Sequence, residues 1–129
     1  MLTIPQVVGA GYVNVWVGPL PKDKIDEFMA ILKVSAEVTR EVGALAVVDT
    51  CAENTPFGKM TSFPRALMMK ENGNEVIWCQ VTYYKSKADS EAIDAKYMAD
   101  PRIKALEKLP MPYDAQRVFY AGFEVKAIA

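Results

Sequence analysis

Period-two alternation recurs in separated stretches of this chain, and the segments between them change to helical spacing. That switch commits the chain to an α+β fold, because strands and helices alternate along it and neither can bury its apolar side alone. Residues 11–17 (Gly-Tyr-Val-Asn-Val-Trp-Val), 75–84 and 117–125 predict strands, and 44–53 predicts another. Gly18-Pro19-Leu20-Pro21 is expected to end the first strand. Residues 22–42 place Ile25, Phe28, Met29, Leu32, Ala36 and Thr39 on one helical stripe, and Gly43 supplies a left-handed stop.

Turn and cap chemistry divides the rest. Asn54 to Gly58 is a loop by composition, and Asn72-Gly73 marks a tight turn. Pro64 keeps residues 61–69 out of a central strand, leaving a bulged edge strand or a helical turn. Ser86 followed by Asp89 resembles a capping box for a helix through Ala99. Asp100-Pro101 then predicts a cap and first-turn proline for a shorter helix, Arg102 to Leu109. Asp23, Asp26 and Glu27 stand where carboxylates complement a helix N-terminus. The resulting order is a ferredoxin-like split βαβ arrangement: an α+β antiparallel sheet with helices on one face, in one domain over residues 1–129.

Composition removes several function classes. With 129 residues, 51% of them hydrophobic, and a net charge of −1, the chain has material for a core and no signature of disorder. Lys and Arg total 15 against 16 Asp and Glu, so counterion release offers little to a nucleic acid, and no such partner is expected. No apolar run approaches the ~18 residues of a membrane helix. Residues 1–5 lack the basic-then-apolar pattern of a signal peptide, so a cytoplasmic location and no membrane partner are expected. There is no His, which removes the usual general base and the commonest metal ligand. Cys51 and Cys79 lack CxxC spacing and are expected to be small buried side chains without a disulfide. With no GxGxxG, P-loop or calcium-loop pattern either, no metal and no cofactor are expected.

Strand parity separates two surfaces. Val13, Val15, Val17, Ile77, Cys79, Val81, Phe119, Ala121 and Phe123 form an apolar set expected under the helices. The other set is Tyr12, Asn14, Trp16, Trp78, Gln80, Thr82, Tyr120, Gly122 and Glu124. It is too aromatic for bulk water and too polar for a dry core, so something else must cover it. A second copy of the sheet would do so, as would a small molecule; stacked RNA lacks the basic residues it needs. Asn14 and Trp16 place an amide beside a large ring, a pair that suits either a ligand or an interface. Trp78 and Tyr120 join them as candidates on that face, and Glu53 stands at a strand end. Arg65, in an apolar run, needs a carboxylate (Glu53, Asp114 or Glu124) or an anionic ligand if it turns inward.

Pro19 to Lys24, Gly58 to Ala66, Met98 to Arg102 and Ala121 to Val125 resemble the corresponding runs of the YbaA-like family, bacterial domains of unknown function. The resemblance spans nearly the whole chain and implies membership of the dimeric α+β barrel superfamily, in which a ferredoxin-like protomer pairs its sheet with a second copy. That superfamily includes cofactor-free monooxygenases acting on quinol-like aromatics, haem-degrading enzymes, lactone isomerases and stress-response dimers. Some of those monooxygenases use Asn, Trp and Tyr, the residue types of Asn14 and Trp16. The chain departs from the family pattern with Val42 for a usual His, Asn14 for an Asp, Glu53-Asn54 for an Asp pair, and Ala121 for the first of two Gly.

Two functions remain open from the sequence. One is a homodimer that binds an aromatic or lactone-like small molecule between sheet and helices, with or without cofactor-independent catalysis. The other is a non-catalytic structural or regulatory dimer with a packed interior. A cavity of a few hundred Å³ beside Asn14, Trp16 or Trp78 favours the first, and a filled interior the second (typical pocket sizes set the scale, roughly 300 Å³ and up).

Overall fold

The alternating stretches become β1 (Tyr12–Pro21), β2 (Ala46–Cys51), β3 (Glu75–Tyr84) and β4 (Phe119–Glu124). Between them lie α1 (Ile25–Glu41), the short α2 (Phe63–Ala66), α3 (Lys87–Ala99) and α4 (Pro101–Glu107). The structure, a computed structural model, describes residues 9–52, 62–70 and 73–129. Its sheet has the order β2-β3-β1-β4 with every neighbouring pair antiparallel, which is the ferredoxin-like arrangement. The caps form as their chemistry requires. Ser86 Oγ accepts from Asp89 N at 3.0 Å, and Asp100 Oδ1 accepts from Arg102 N at 2.8 Å. Gly43 closes α1 at a φ of +125°, a conformation that glycine adopts without a Cβ clash. Residues 63–66 take the helical alternative, with Pro64 in the first turn. Gly73 N–H donates to Lys70 O, and the expected Asn72-Gly73 turn includes Asn72, which lies outside the described residues.

The first strand does not end at Gly18. It runs through Pro19 and Pro21, paired with Ile77 and Glu75 of β3. The neighbouring Lys22 N–H donates to Asn74 O, so the even-numbered nitrogens of β1 point at β3 and the odd ones at β4. The pairing of β1 with β4 stops at Val17. Both prolines therefore put their missing N–H where no partner strand remains, and the ladder loses nothing.

The two surfaces of the sheet are exchanged relative to expectation. The helices lie on the aromatic and polar face: Phe28 of α1 packs with Trp78 and Trp16, and Ile93 of α3 packs with Tyr84 and Tyr12. A second copy therefore cannot cover the Tyr12/Asn14/Trp16 face, because the chain's own helices already do. The apolar set faces away from them. Leu67, following α2, covers its Val17 and Ile77 corner, whereas Phe119 and Phe123 remain 54% and 52% exposed. The physical reason is that rings supply enough apolar area for a core while their polar neighbours bond to one another. The inner sides of the helices are themselves mixed, bearing Ser35, Thr39 and Tyr97 beside Phe28 and Leu32.

The cysteines correct a second expectation. Cys51 is exposed and Cys79 half-buried, and the register opposes Cys51 to Trp78 and Cys79 to Thr50, which puts the two free thiols on opposite faces of the sheet. Among the described residues, no helix is long and apolar enough to cross a membrane.

Candidate functional site

The sheet and its helices do not close completely. Between β1, β3, α1, α3 and the segment after α4 lies a cavity of about 450 Å³, walled by rings and aliphatic side chains that include Trp16, Phe28, Leu32, Met98, Ile103 and Tyr113. A smaller space of about 180 Å³ adjoins it toward the other end of the sheet, with Asn14, Thr39, Thr82, Tyr84, Asp94 and Tyr120 on its wall. Trp16, Ser35, Gln80 and Tyr97 line both. One end of the double cavity is thus apolar and the other polar, and the seam falls at these shared residues.

Local packing sets each wall. The Trp16 indole meets Tyr113 edge-on at 5.0 Å and Phe28 at 5.8 Å, a cluster that fixes its ring at the cavity floor. Register puts Trp16 opposite Gln80 on one side and Tyr120 on the other, and Asn14 opposite Thr82 and Gly122. A Cβ on Gly122 would come within 2.6 Å of Tyr12 Cζ, so the glycine is what lets the Tyr12 ring lie against β4. Ser35 Oγ and Tyr97 Oη are 2.7 Å apart and join α1 to α3 across the seam. Outside the cavity, Arg102 bonds Glu41 and Asp100 and ties the end of α1 to the α3–α4 junction, holding both carboxyls below their usual range.

The polar groups are mostly engaged by one another. Asp49 Oδ1 accepts from Trp78 Nε1 at 2.9 Å and from Gln80 Nε2 at 3.0 Å. Asn14 Nδ2 donates to Tyr84 Oη over a longer 3.4 Å. Burial pushes the Tyr84 phenol up to about 12, with the nearby Tyr120 adding to the effect and the Asn14 bond opposing it. Burial also raises Tyr113, and Tyr120 is raised by desolvation of its phenol and then by Asp94. These phenols keep their protons at neutral pH and act as hydrogen-bonding groups. Among the described residues, no cluster of three or more Cys, Asp or Glu side chains is placed to hold a metal ion.

Asn14, Trp16 and Tyr120 are brought together on the cavity wall. Trp78 is 4% exposed beneath Phe28, with ring centroids 5.4 Å apart, and supports the wall from behind. Arg65 is exposed on α2, an element that leads into the Leu67 cluster on the opposite side of the sheet. Two of its candidate carboxylates are taken by other cations: Asp114 pairs with Arg117 at 3.2 Å and Glu124 with Lys126 at 3.3 Å. Glu53 lies outside the described residues. The inward arginine of the fold is Arg117, which grips both Glu75 oxygens at 3.0 and 2.5 Å.

Sequence reasoning missed Ser35, Asp49 and Tyr97. A signal for the first existed, since Ser35 and Thr39 are polar groups one helical turn apart on an otherwise apolar stripe. Asp49 carried one as well: it shares strand parity with Val47 inside an apolar strand, where a carboxylate needs donors. Nothing local marked Tyr97, whose partner lies 62 residues away.

Residues 11–115 match the family described as "Protein of unknown function (DUF1428)". The chain is 37% identical over 113 residues to a protein described as "Uncharacterized protein YbaA" from Escherichia coli (strain K12), covering 88% of this chain and 94% of that one. The protein of the same description from Shigella flexneri matches equally. Among solved structures, a nipsnap family protein with unknown function from Agrobacterium tumefaciens superposes with a TM-score of 0.55. That superposition covers 94% of this chain and 93% of the other at 14% identity, a likeness of fold alone.

Proposed function

Since the chain belongs to the DUF1428 family, to which no activity is assigned, we propose from the site itself that it is a small-molecule-binding protein whose aromatic or lactone-like ligand sits between the sheet and the helices. The observation that carries this reading is the double cavity, about 450 and 180 Å³, with Asn14, Trp16 and Tyr120 on its wall. A space of this size between core elements is far larger than a packing defect, and its rings and amides are the groups that hold a flat organic molecule. It supports a binding role over a packed structural interior. No cofactor is required for binding of this kind. Among the described residues, Asp94 and Glu107 are the carboxylates on the wall and so the groups placed for a general-base step. Native mass spectrometry of protein purified without added ligand should reveal a small molecule released on denaturation. Ile31 of α1 also lines the larger space, and Ile31→Trp, which sets an indole into it, should lose the molecule while remaining folded. A bare chain that also binds no apolar aromatic probe overturns the reading.

The protein acts, in this proposal, as a homodimer built on the sheet face away from the helices. Support comes from the exposed Phe119 and Phe123, which share that face with Val13, Val15 and Val81. Sedimentation at micromolar concentration should give a dimer, and Phe119→Lys with Phe123→Lys a folded monomer. A wild-type monomer under those conditions would remove the dimer from the proposal.

A further inference from the structure

Among the described residues, the walls of the double cavity carry side chains of only one charge type. Among these residues, the acidic side chains lining either compartment are Asp94 at the polar end and Glu107 at the apolar one, both on exposed residues at the rim; no Lys or Arg lines either space. The remaining polar wall is made of uncharged hydroxyls, phenols and amides, and two of its best donors are already partly committed. Gln80 has given one amide hydrogen to Asp49 and Asn14 one to Tyr84, so each has a single N–H left to offer. An anion entering here would leave water without a counter-charge and meet carboxylates instead, a double penalty. A neutral head group meets acceptors and donors of its own kind. A cationic one gains from Asp94, whose charge already reaches Tyr84 and Tyr120 at the same end.

We propose that the cavity takes an amphipathic molecule whose polar end is uncharged or positively charged, and turns away the corresponding carboxylate. The apolar body occupies the larger space beside Phe28, Leu32 and Met98, and the polar end reaches past Trp16 toward Asn14, Tyr120 and Asp94. This rests on the binding role proposed above and adds the charge class and orientation of the ligand.

The test is calorimetric titration of the full chain with a matched series: naphthylmethanol, naphthylmethylamine and naphthoate, which share one ring system and differ in the charge of the head. The alcohol and the amine should bind, with naphthoate at least about tenfold weaker than either. Asp94→Asn should weaken the amine several-fold more than it weakens the alcohol. Naphthoate binding as well as the alcohol overturns the charge class while the binding role stands. Loss of amine affinity in Glu107→Gln rather than Asp94→Asn overturns the orientation. Failure of all three compounds, with every variant folded, overturns this inference together with the binding role beneath it.

Discussion

Ser35 Oγ and Tyr97 Oη lie 2.7 Å apart and form the one side-chain bond that the described residues place directly between α1 and α3 at the seam of the cavity. Both groups are half-buried, so the bond is worth more than a surface contact and stands where the two compartments meet. A double-mutant cycle of Ser35→Ala and Tyr97→Phe, followed by urea unfolding, should give a coupling on the order of 1 kcal/mol. Additive single effects would mean that the helices are not joined here.

Asp49 serves two donors with one oxygen, and one of those donors belongs to the buried Trp78. Asp49→Ala strands the indole N–H and should lower stability by about 1–3 kcal/mol. Asp49→Asn keeps a carbonyl oxygen in the same place and should cost less than about 1 kcal/mol. Equal losses for the two variants would show that the acceptor is not what matters.

Arg117 is an arginine whose bonds join separate elements of the fold. It holds Glu75 with two bonds and also donates to Leu67 O at 3.3 Å, joining the turn that precedes β4 to β3 and to the segment after α2. Arg117→Met leaves a half-buried carboxylate without its partner and should reduce stability on the order of 2 kcal/mol. Arg65→Met, at an exposed position, should stay within about 1 kcal/mol. The reverse ranking by chemical denaturation would contradict this assignment.

Tyr84 makes stability fall at high pH. Its phenol, ordinarily 10.0, is pushed up to about 12 in the folded chain, chiefly by burial. Between those values the unfolded chain gives up its proton while the native state keeps it. The contribution is therefore complete below pH 10 and disappears as pH climbs toward 12. Tyr84→Phe should flatten the decline in unfolding free energy across that window, with a residual slope from Tyr113 and Tyr120, whose phenols are raised too. An unchanged slope would place the effect elsewhere.

Local chemistry made most of the elements legible. Alternation marked β3 to its observed ends, Ser86 and Asp100 announced their helices, and Gly43 marked the end of α1, because each of these signals acts within a few residues. The exception is β1, where Pro19 and Pro21 read as terminators but β4 stops short and leaves their nitrogens nothing to bond. Of the cavity wall, the sequence singled out Asn14, Trp16 and Tyr120 and the face that bears them. It could not say which way that face points. Parity sorts side chains into two sets, but the side on which a helix crosses is decided by the handedness of strand connections that only the assembled sheet possesses. The average polarity of the two sets argued for the wrong side, since it ignores that Trp78, Gln80 and Asp49 satisfy one another once brought together from positions about 30 residues apart. Tertiary structure alone also made the seam, where Ser35 and Tyr97 meet from opposite halves of the chain, and with it a cavity between the sheet and the chain's own helices.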